Sequence, residues 1–325
     1  MHLHPVLRAL RDDDTPQRAA QTLLHRTMAD WRAGPHGSRL QEELKAFSHG
    51  GTVDDFPLLA ACFSADDPSA AELVQQLIQM LIHALDQAPL GHVPLRHFTD
   101  GTISTLLIAR CGGAVLSLVA LDGRCHARKP APTSASFPDA ECWERVLAGS
   151  AEGDLVEALP AGPQQVLISR QSMCLASGMV IHRAAARSAL ILHKVMGTLV
   201  TLRLQRRARK PAPTREYALA DGRLLGQAAG SARDSRLELA AALLGQMGRT
   251  DAAPLLAAMA QEDDSPALRW QMLRECLALD SGTGFAALGA VARRGGDPLA
   301  APAQALEAQL CAQYPALAEL AQCHA

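Results

Sequence analysis

Aromatic side chains are scarce in this chain of 325 residues. Phe, Trp and Tyr together occupy only 11 positions, whereas alanine occupies 60. So few rings argue against proteins that stack bases or sugars on aromatic platforms. The formal net charge of −2 argues against a nucleic-acid-binding protein with an overall basic surface. With 48% hydrophobic and 20% charged residues, the chain is not predicted to be mostly disordered.

Several sequence motifs of common sites are also missing. The eight cysteines form no C-x-x-C pair, which argues against zinc ribbons and thioredoxin-like redox motifs. No G-x-S-x-G sequence, P-loop or dinucleotide-binding glycine pattern occurs. Cys125 and His126 are adjacent, but neighbours in a strand point to opposite faces, so they make a poor nucleophile–base pair. No catalytic residue is assigned, and whether the protein is an enzyme stays open.

Long apolar runs are absent as well. The first residues lack the apolar core of a secretory signal, and the longest apolar stretch, 188–204, is interrupted by His193 and Lys194. The 27 arginines against 4 lysines, together with the many alanines, are typical of a GC-rich bacterial genome. We therefore expect a bacterial cytoplasmic protein with reduced cysteines and no membrane span.

The first ninety residues are predicted to be helical. Thr15-Pro16 is typical of a helix start, and Gly34-Pro35 is typical of its end. Ser38-x-x-Gln41 and Ser69-x-x-Glu72 have the spacing of capping boxes. Behind the second box, apolar residues at three- and four-residue spacing predict an amphipathic helix. These residues are Leu73, Leu77, Met80, Leu81, Ala84 and Leu85.

The region from about Gly91 to 230 is predicted to be β-structure. Its three Asp-Gly pairs, at positions 100, 122 and 221, favour hairpin turns, because both residues tolerate positive φ. Strands are predicted over 103–109, 114–121, 166–169, 179–182, 189–193 and 198–204.

This β region contains an internal repeat. The heptapeptide Ala-Arg-Lys-Pro-Ala-Pro-Thr begins at Ala127 and again at Ala208. The segments before it, 104–118 and 188–202, align without a gap and share a glycine. We interpret both as two strands joined by a turn at that glycine, which predicts two copies of a hairpin unit in one barrel or in two.

A duplicated β unit of this kind resembles the cupin superfamily in its two-barrel form. The shared turns would be Gly113 and Gly197, and the strand at 179–183, after Ser177-Gly178, is similar to the strand that precedes the second cupin motif. Metal-binding cupins carry H-x-H and a downstream Glu. Here H-x-H occurs only at His2-Leu3-His4, outside the β region. The resemblance therefore implies the barrel but transfers no metal site, and His2 and His4 are assigned no function.

The chain after about Ser231 is predicted to be helical and repeated. Residues 236–244 align with 269–277 at an offset of 33, and 253–258 align with 286–291. Each unit is two helices joined by a short turn, which resembles a HEAT-like α-hairpin repeat. The resemblance implies a surface for a protein partner.

These observations predict an α+β fold with a helical N-terminal segment, a duplicated antiparallel β core that forms a cupin-like barrel, and C-terminal HEAT-like helices. The predicted domains are 1–90, 91–230 and 231–325.

Two kinds of binding residue are candidates within the β region. Neutral imidazole is the commonest transition-metal ligand, and a 2-His-1-carboxylate set would suit a divalent metal. The candidate metal ligands are His92, His97, Asp100, His126, His182 and His193. The other interpretation is that these histidines are structural and satisfied by hydrogen bonds.

An anion site is the second possibility. In an extended chain Arg203 and Arg207 share one face, with Arg206 on the other. Guanidinium groups bind carboxylate or phosphate through paired hydrogen bonds. The other interpretation is a strand edge that its charges protect from aggregation.

Two functions are compatible with this pattern. The first is a ligand-binding or protein-interaction module, in which the β core holds a small anion and the C-terminal helices hold a protein partner. The alternative is a metal-dependent, oxygenase-like cupin enzyme with a non-standard histidine set. Nucleic acid and membranes are not expected partners.

Overall fold

The computed structural model describes residues 13–162 and 164–314. Its contacts group the chain into two compact units. The first contains the described residues up to Ala135, with Ala140–Ala208 and Ala218–Arg223; the second contains Ser136–Asp139, Arg209–Tyr217 and the described residues from Leu224. Helices and antiparallel sheets are both present, which confirms that part of the predicted fold class. The division into domains at 90 and 230 stays a prediction.

Among the described residues, the first unit starts with four α-helices, as the sequence predicts. They are α1 (Thr15–Ala33), α2 (Pro35–Phe47), α3 (Pro57–Cys62) and α4 (Ser69–Gln87), with a 3₁₀ turn at Val53–Asp55. Proline lies in the first turn of α1, α2 and α3. The lack of an N–H is tolerated there, because N–H groups of the first turn have no acceptor within the helix.

Two helix starts differ in detail from the prediction. Ser38 lies inside α2 rather than before it, because the chain enters this helix directly at Pro35, so the capping box at Ser38 is wrong. Ser69 is the first residue of α4, and the Asp67 carboxylate accepts a hydrogen bond from its N–H at 2.9 Å. The apolar stripe behind it is confirmed, since Leu73 and Leu77 are buried one turn apart.

Ten strands follow in chain order in the part of the chain that the structure describes. They are β1 (His97–Thr99), β2 (Ile103–Cys111), β3 (Ala114–Asp122), β4 (Ser134–Phe137), β5 (Ala140–Gly162), β6 (Gln165–Leu175), β7 (Val180–Arg183), β8 (Ser188–Arg207), β9 (Thr214–Ala218) and β10 (Leu224–Ala228). The larger sheet has the order β1-β2-β3-β8-β5-β6, with β7 also paired to β5. A smaller sheet has the order β10-β9-β4.

The repeated segments adopt two different structures. Segment 104–118 forms the β2–β3 hairpin, which turns at Gly112-Gly113 as expected. Segment 188–202 lies within the single strand β8, so the predicted turn at Gly197 is wrong. Two consecutive glycines allow the first turn, whereas Gly197 stands alone: Met196 before it pairs with β5, and Thr198 and Leu199 after it pair with β3. A duplicated hairpin is therefore not formed.

Gly197 instead contributes to a bend in the two longest strands. It has φ +67°, and Gly149, which lies between the paired residues Ala148 and Ser150 of β5, has φ +83°. The register between β5 and β8 shifts on both sides of Ala148, as it does at β-bulges. The bend divides each strand into two halves, so that β7 pairs with one half of β5 and β6 with the other.

Replacing Gly149 is expected to destabilise this bend more than replacing Gly197. Either alanine would adopt a left-handed conformation that costs about 1–2 kcal/mol. A Cβ on Gly149 would also lie 2.2 Å from the Thr198 carbonyl oxygen, whereas nothing lies within 4 Å of one on Gly197. We expect Gly149→Ala to cost about 1 kcal/mol further in urea denaturation. Equal midpoints for the two variants would contradict this.

Two of the three Asp-Gly pairs form the predicted turns between strands, and the third begins a helix. Asp100-Gly101 connects β1 to β2, and Asp221-Gly222 connects β9 to β10, as predicted. Asp122-Gly123 is not a hairpin turn. It opens a short helix, α5 (Gly123–His126), in which the Asp122 carboxylate accepts a hydrogen bond from the Cys125 N–H at 2.8 Å.

The two faces of the large sheet have different neighbours. One face carries Leu116, Leu202 and Leu204, which form a core with the N-terminal helices. The other carries a second apolar cluster that includes Val146 and Leu199. Alternation along the strands produces this separation, because Val146 and Leu199 have the opposite parity to the residues that contact the helices.

Arg145 connects the sheet to the helices. Its buried guanidinium donates hydrogen bonds to backbone carbonyl oxygens at and after the end of α3, where the helix leaves acceptors unpaired. Those carbonyls belong to Ala61, Cys62, Ser64 and Ala65.

The second unit is mainly helical, as predicted. Its helices are α6 (Ala232–Gln246), α7 (Ala253–Gln261), α8 (Pro266–Leu279), α9 (Ser281–Ala292) and α10 (Ala300–Gln313), with a 3₁₀ turn at Thr250–Ala252. Buried Arg269 of α8 binds the equally buried Asp297 through two hydrogen bonds. The HEAT-like interpretation stays a prediction. Within the described ranges, no helix is long and apolar enough to cross a membrane.

Candidate anion-binding site

Three charged side chains from three strands converge on one face of the large sheet. Glu144 of β5 lies opposite Arg203 of β8, and Cys142 of β5 lies opposite Arg183 of β7. Because residues two apart in a strand share a face, this register places Glu144 between the two arginines. Val146 follows on the same face, so the charged cluster adjoins an apolar one.

One carboxylate oxygen holds both arginines. Arg183 Nη2 donates to Glu144 Oε1 at 2.7 Å, and Arg203 Nε donates to the same oxygen. The Glu144 side chain is only 3% exposed, while Arg183 and Arg203 retain 15% and 29% of their side-chain exposure. The carboxylate is therefore enclosed, and the two guanidinium groups remain within reach of solvent.

The charges of the cluster follow from this geometry. Burial by itself raises the pKa of Glu144, but the attraction of Arg203 and Arg183 and their hydrogen bonds outweigh it, so the pKa is lowered. Burial raises the pKa of the neighbouring Cys142 thiol to about 11, so it is neutral at pH 7. Two cations and one anion leave a net charge of +1.

The cluster also holds more donors than acceptors. Arg183 Nε is buried and has no hydrogen-bond partner among the residues described. The only hydrogen bond that Arg203 makes to the described chain uses its Nε, which leaves its two terminal nitrogens free. A buried donor without a partner is costly and uncommon. An oxygen of a bound anion would supply the missing acceptor.

Each candidate metal ligand has its own contacts, and among the described residues none of these contacts is with Glu144, Arg183 or Arg203. The His182 ring stacks on Trp143, with 4.8 Å between centroids. His126 Nε2 lies 3.1 Å from the Leu192 carbonyl oxygen. His97 is exposed on β1, and Asp100 accepts backbone hydrogen bonds in the β1–β2 turn.

The other two candidate histidines also make polar contacts with distant residues. His193 Nε2 lies 2.9 Å from Asp154 Oδ2, and the hydrogen bonds from His193 and Ser172 lower the pKa of Asp154. His92 is joined to Gln21 through its backbone. Across residues 13–162 and 164–314, no group of three or more His, Cys, Asp or Glu side chains is placed to hold a metal ion. His2 and His4 lie outside the described residues.

The two candidate anion ligands are separated. Arg203 joins the charged cluster, whereas Arg207 is exposed at the end of β8. Arg206 points to the other face, where it binds Glu141 and lies 4.3 Å from the centre of the Phe47 ring.

The sequence interpretation missed Glu144 and Arg183. Glu144 could have been noticed as a charge within an alternating apolar pattern, between Cys142 and Val146. Nothing local marks Arg183, since its role depends on the pairing of β7 with β5.

Comparisons with known proteins give structural likenesses only. No protein-family model matches the chain, and no curated protein matches it. Among solved structures it is similar to a cupin superfamily protein from Desulfitobacterium hafniense, at 13% identity over 34% of this chain and 83% of that one, with a TM-score of 0.24. An RmlC-like cupin from Shewanella frigidimarina shows 7% identity over 36% and 86%, with a TM-score of 0.26. The Schizosaccharomyces pombe Cnp3 cupin domain shows 8% identity over 35% and 70%, with a TM-score of 0.24.

Proposed function

We propose that the first unit is a binding module for a small anion. Arg183 and Arg203 bind the anion, and Glu144 positions both of them. The observation that carries this proposal is the shared buried carboxylate, which fixes two guanidinium groups and leaves them with unpaired donors and a net positive charge.

The chemistry favours carboxylate or phosphate oxygens. Both accept paired hydrogen bonds from arginine, and charge-assisted bonds of this kind are stronger than neutral ones. Arginines that are already held in place lose less side-chain entropy when the ligand binds. A single excess positive charge favours a monoanionic group at the contact.

The wider setting is proposed on the sequence pattern. We infer a cupin-like β core within residues 91–230, flanked by helical domains at 1–90 and 231–325, in a bacterial cytoplasmic protein. The C-terminal helices would then serve a protein partner. The metal-dependent alternative stays a prediction, and no contact among the described residues favours it.

Removing Arg203 is expected to weaken anion binding at least tenfold. Arg203→Gln loses one charge-assisted contact, which is worth about 1.5–3 kcal/mol. Arg207→Gln removes the same charge from the same strand but from outside the cluster, so we expect its affinity to stay within about twofold of wild type. Titration calorimetry with inorganic phosphate, and separately with propanoate, at fixed ionic strength measures both effects.

Two results would contradict the proposal. Equal losses in Arg203→Gln and Arg207→Gln would show that only overall charge matters. If neither phosphate nor propanoate binds to folded wild-type protein, the proposed anion site is wrong. The phosphate and propanoate arms distinguish the two kinds of anion.

A further inference from the structure

A cavity of about 600 Å³ lies in the first unit, between the N-terminal helices and strand β2. Its walls come from the end of α1, the middle of α2, residues 94–96 and the last part of β2. This size lies within the range of small-molecule binding sites. The side chains of Glu144, Arg183 and Arg203 do not line it, so it is separate from the anion site proposed above.

The polar and apolar residues of the cavity are segregated by depth. Arg32, Arg96 and Arg110 line it and are exposed, whereas Leu40, Leu95 and Ile108 line it and are buried. A ligand that is anionic at one end and apolar at the other would be complementary to three cations at the opening and three apolar side chains below them.

The three arginines have no counter-charges at the cavity. No Asp or Glu lines it, and none of the three makes a salt bridge within the described part of the chain. Three like charges around one opening repel one another, and a bound anion would relieve that repulsion. The arginines also present several donors to one ligand group.

The edge of β2 and the Trp31 side chain also present polar groups at the cavity wall. Strand β1 pairs with β2 only as far as Leu106, and the Leu107 N–H donates to the Arg96 carbonyl oxygen; after Leu107, the part of β2 that lines the cavity has no strand partner on that edge within the described chain. Trp31, which also lines the cavity, has a buried indole N–H without a hydrogen-bond partner among the described residues. Unpaired polar groups at the wall of a cavity are typical of a binding site rather than of a closed core.

We infer that this cavity binds a free single-chain amphipathic carboxylate, such as a medium-length alkanoate. The carboxylate contacts Arg32, Arg96 and Arg110 at the opening, and the alkyl chain packs on Leu40, Leu95 and Ile108. Aliphatic walls suit an alkyl chain better than an aromatic ligand, for which the cavity offers only one ring, that of Trp31.

The head and tail of the ligand can be tested separately with decanoate as the probe. Calorimetry below the micelle concentration should show affinity that rises roughly fourfold for each methylene between hexanoate and decanoate. Decanol, which lacks the charge, should bind at least tenfold more weakly than decanoate. Arg32→Gln/Arg96→Gln/Arg110→Gln should abolish that difference, while Arg128→Gln, at an exposed arginine of the same unit outside the cavity, should preserve it.

Trp31 provides a positional readout. A bromine-labelled alkanoate quenches a tryptophan that it contacts, and the chain has only three tryptophans. We expect quenching in wild-type protein and none in Trp31→Phe, in which Trp143 and Trp270 remain. Circular dichroism should show that Trp31→Phe and the arginine variants are folded before any titration.

Specific outcomes would overturn the inference. They are affinity that does not depend on chain length, equal binding of decanol and decanoate, quenching that persists in Trp31→Phe, or binding to anionic vesicles without binding to monomeric decanoate. None of them bears on binding of phosphate or propanoate at Arg203, so the two sites can fail independently.

Discussion

Replacing Glu144 with alanine is expected to lower the free energy of unfolding by about 3–5 kcal/mol, because it leaves two arginines without their common counter-charge. Arg183 is largely buried and already has one unpaired nitrogen, so it cannot turn fully into solvent. Burial of an uncompensated charge is among the few mechanisms that give a loss this large. Urea denaturation followed by circular dichroism measures it.

Glu141 provides the matched control. It lies on the same strand and also pairs with an arginine, Arg206, but about one-third of its side chain is exposed. We expect Glu141→Ala to cost under about 1 kcal/mol, since exposed ion pairs contribute little. A Glu144→Ala loss no larger than that of Glu141→Ala would show that the buried cluster does not stabilise the fold.

The pH dependence of the Glu144 effect has a definite sign. The pKa of Glu144 is lowered in the folded protein, so its ionised form contributes stability that is fully present above the ordinary value of 4.5. That contribution is lost as the pH falls through the folded pKa. Stability of the wild type should therefore fall more steeply below about pH 4.5 than that of Glu144→Gln. Parallel acid limbs would contradict the assignment.

Local signals predicted the elements of this chain better than their pairing. The helix over 69–87 follows from its apolar spacing, and the β2–β3 hairpin follows from two apolar runs around Gly112-Gly113. The prediction of a turn at Gly197 is wrong because a sequence alignment compares residue types and does not show which strands pair with the segment. With β5 as a partner on both sides of Gly197 and β3 as a partner from Thr198 onward, β8 makes more hydrogen bonds by continuing than by turning.

The Asp-Gly pairs show the same limit at one dipeptide. An aspartate carboxylate that accepts a backbone N–H hydrogen bond can close a turn or cap a helix. Asp100 does the first and Asp122 the second. The difference lies in the segments after each aspartate. After Asp100 the chain forms β2, which pairs with β1, whereas β3, which ends at Asp122, is paired with β2 and β8 on its two edges.

The candidate site depends even more on distant residues. Arg203 was identifiable from its position in a basic segment, but its partner Glu144 lies 59 residues earlier and Arg183 binds from a third strand. Their meeting depends on the register of β5 with both β7 and β8. Because a shift of one residue would place Glu144 on the opposite face, no local pattern could have predicted the cluster.

Phe47→Ala is the second substitution with a large expected effect, about 3–5 kcal/mol of unfolding free energy. Phe47 ends α2, is fully buried, and packs edge-to-face on Phe56 and Trp143, with centroids 5.8 and 5.5 Å away. Arg206 lies over its ring, so the substitution also removes a cation–π contact between helix and sheet. Phe98→Ala is the control, because Phe98 is 63% exposed and should cost within about 0.5 kcal/mol. Equal urea midpoints for the two variants would show that the α2–sheet core does not hold the first unit together.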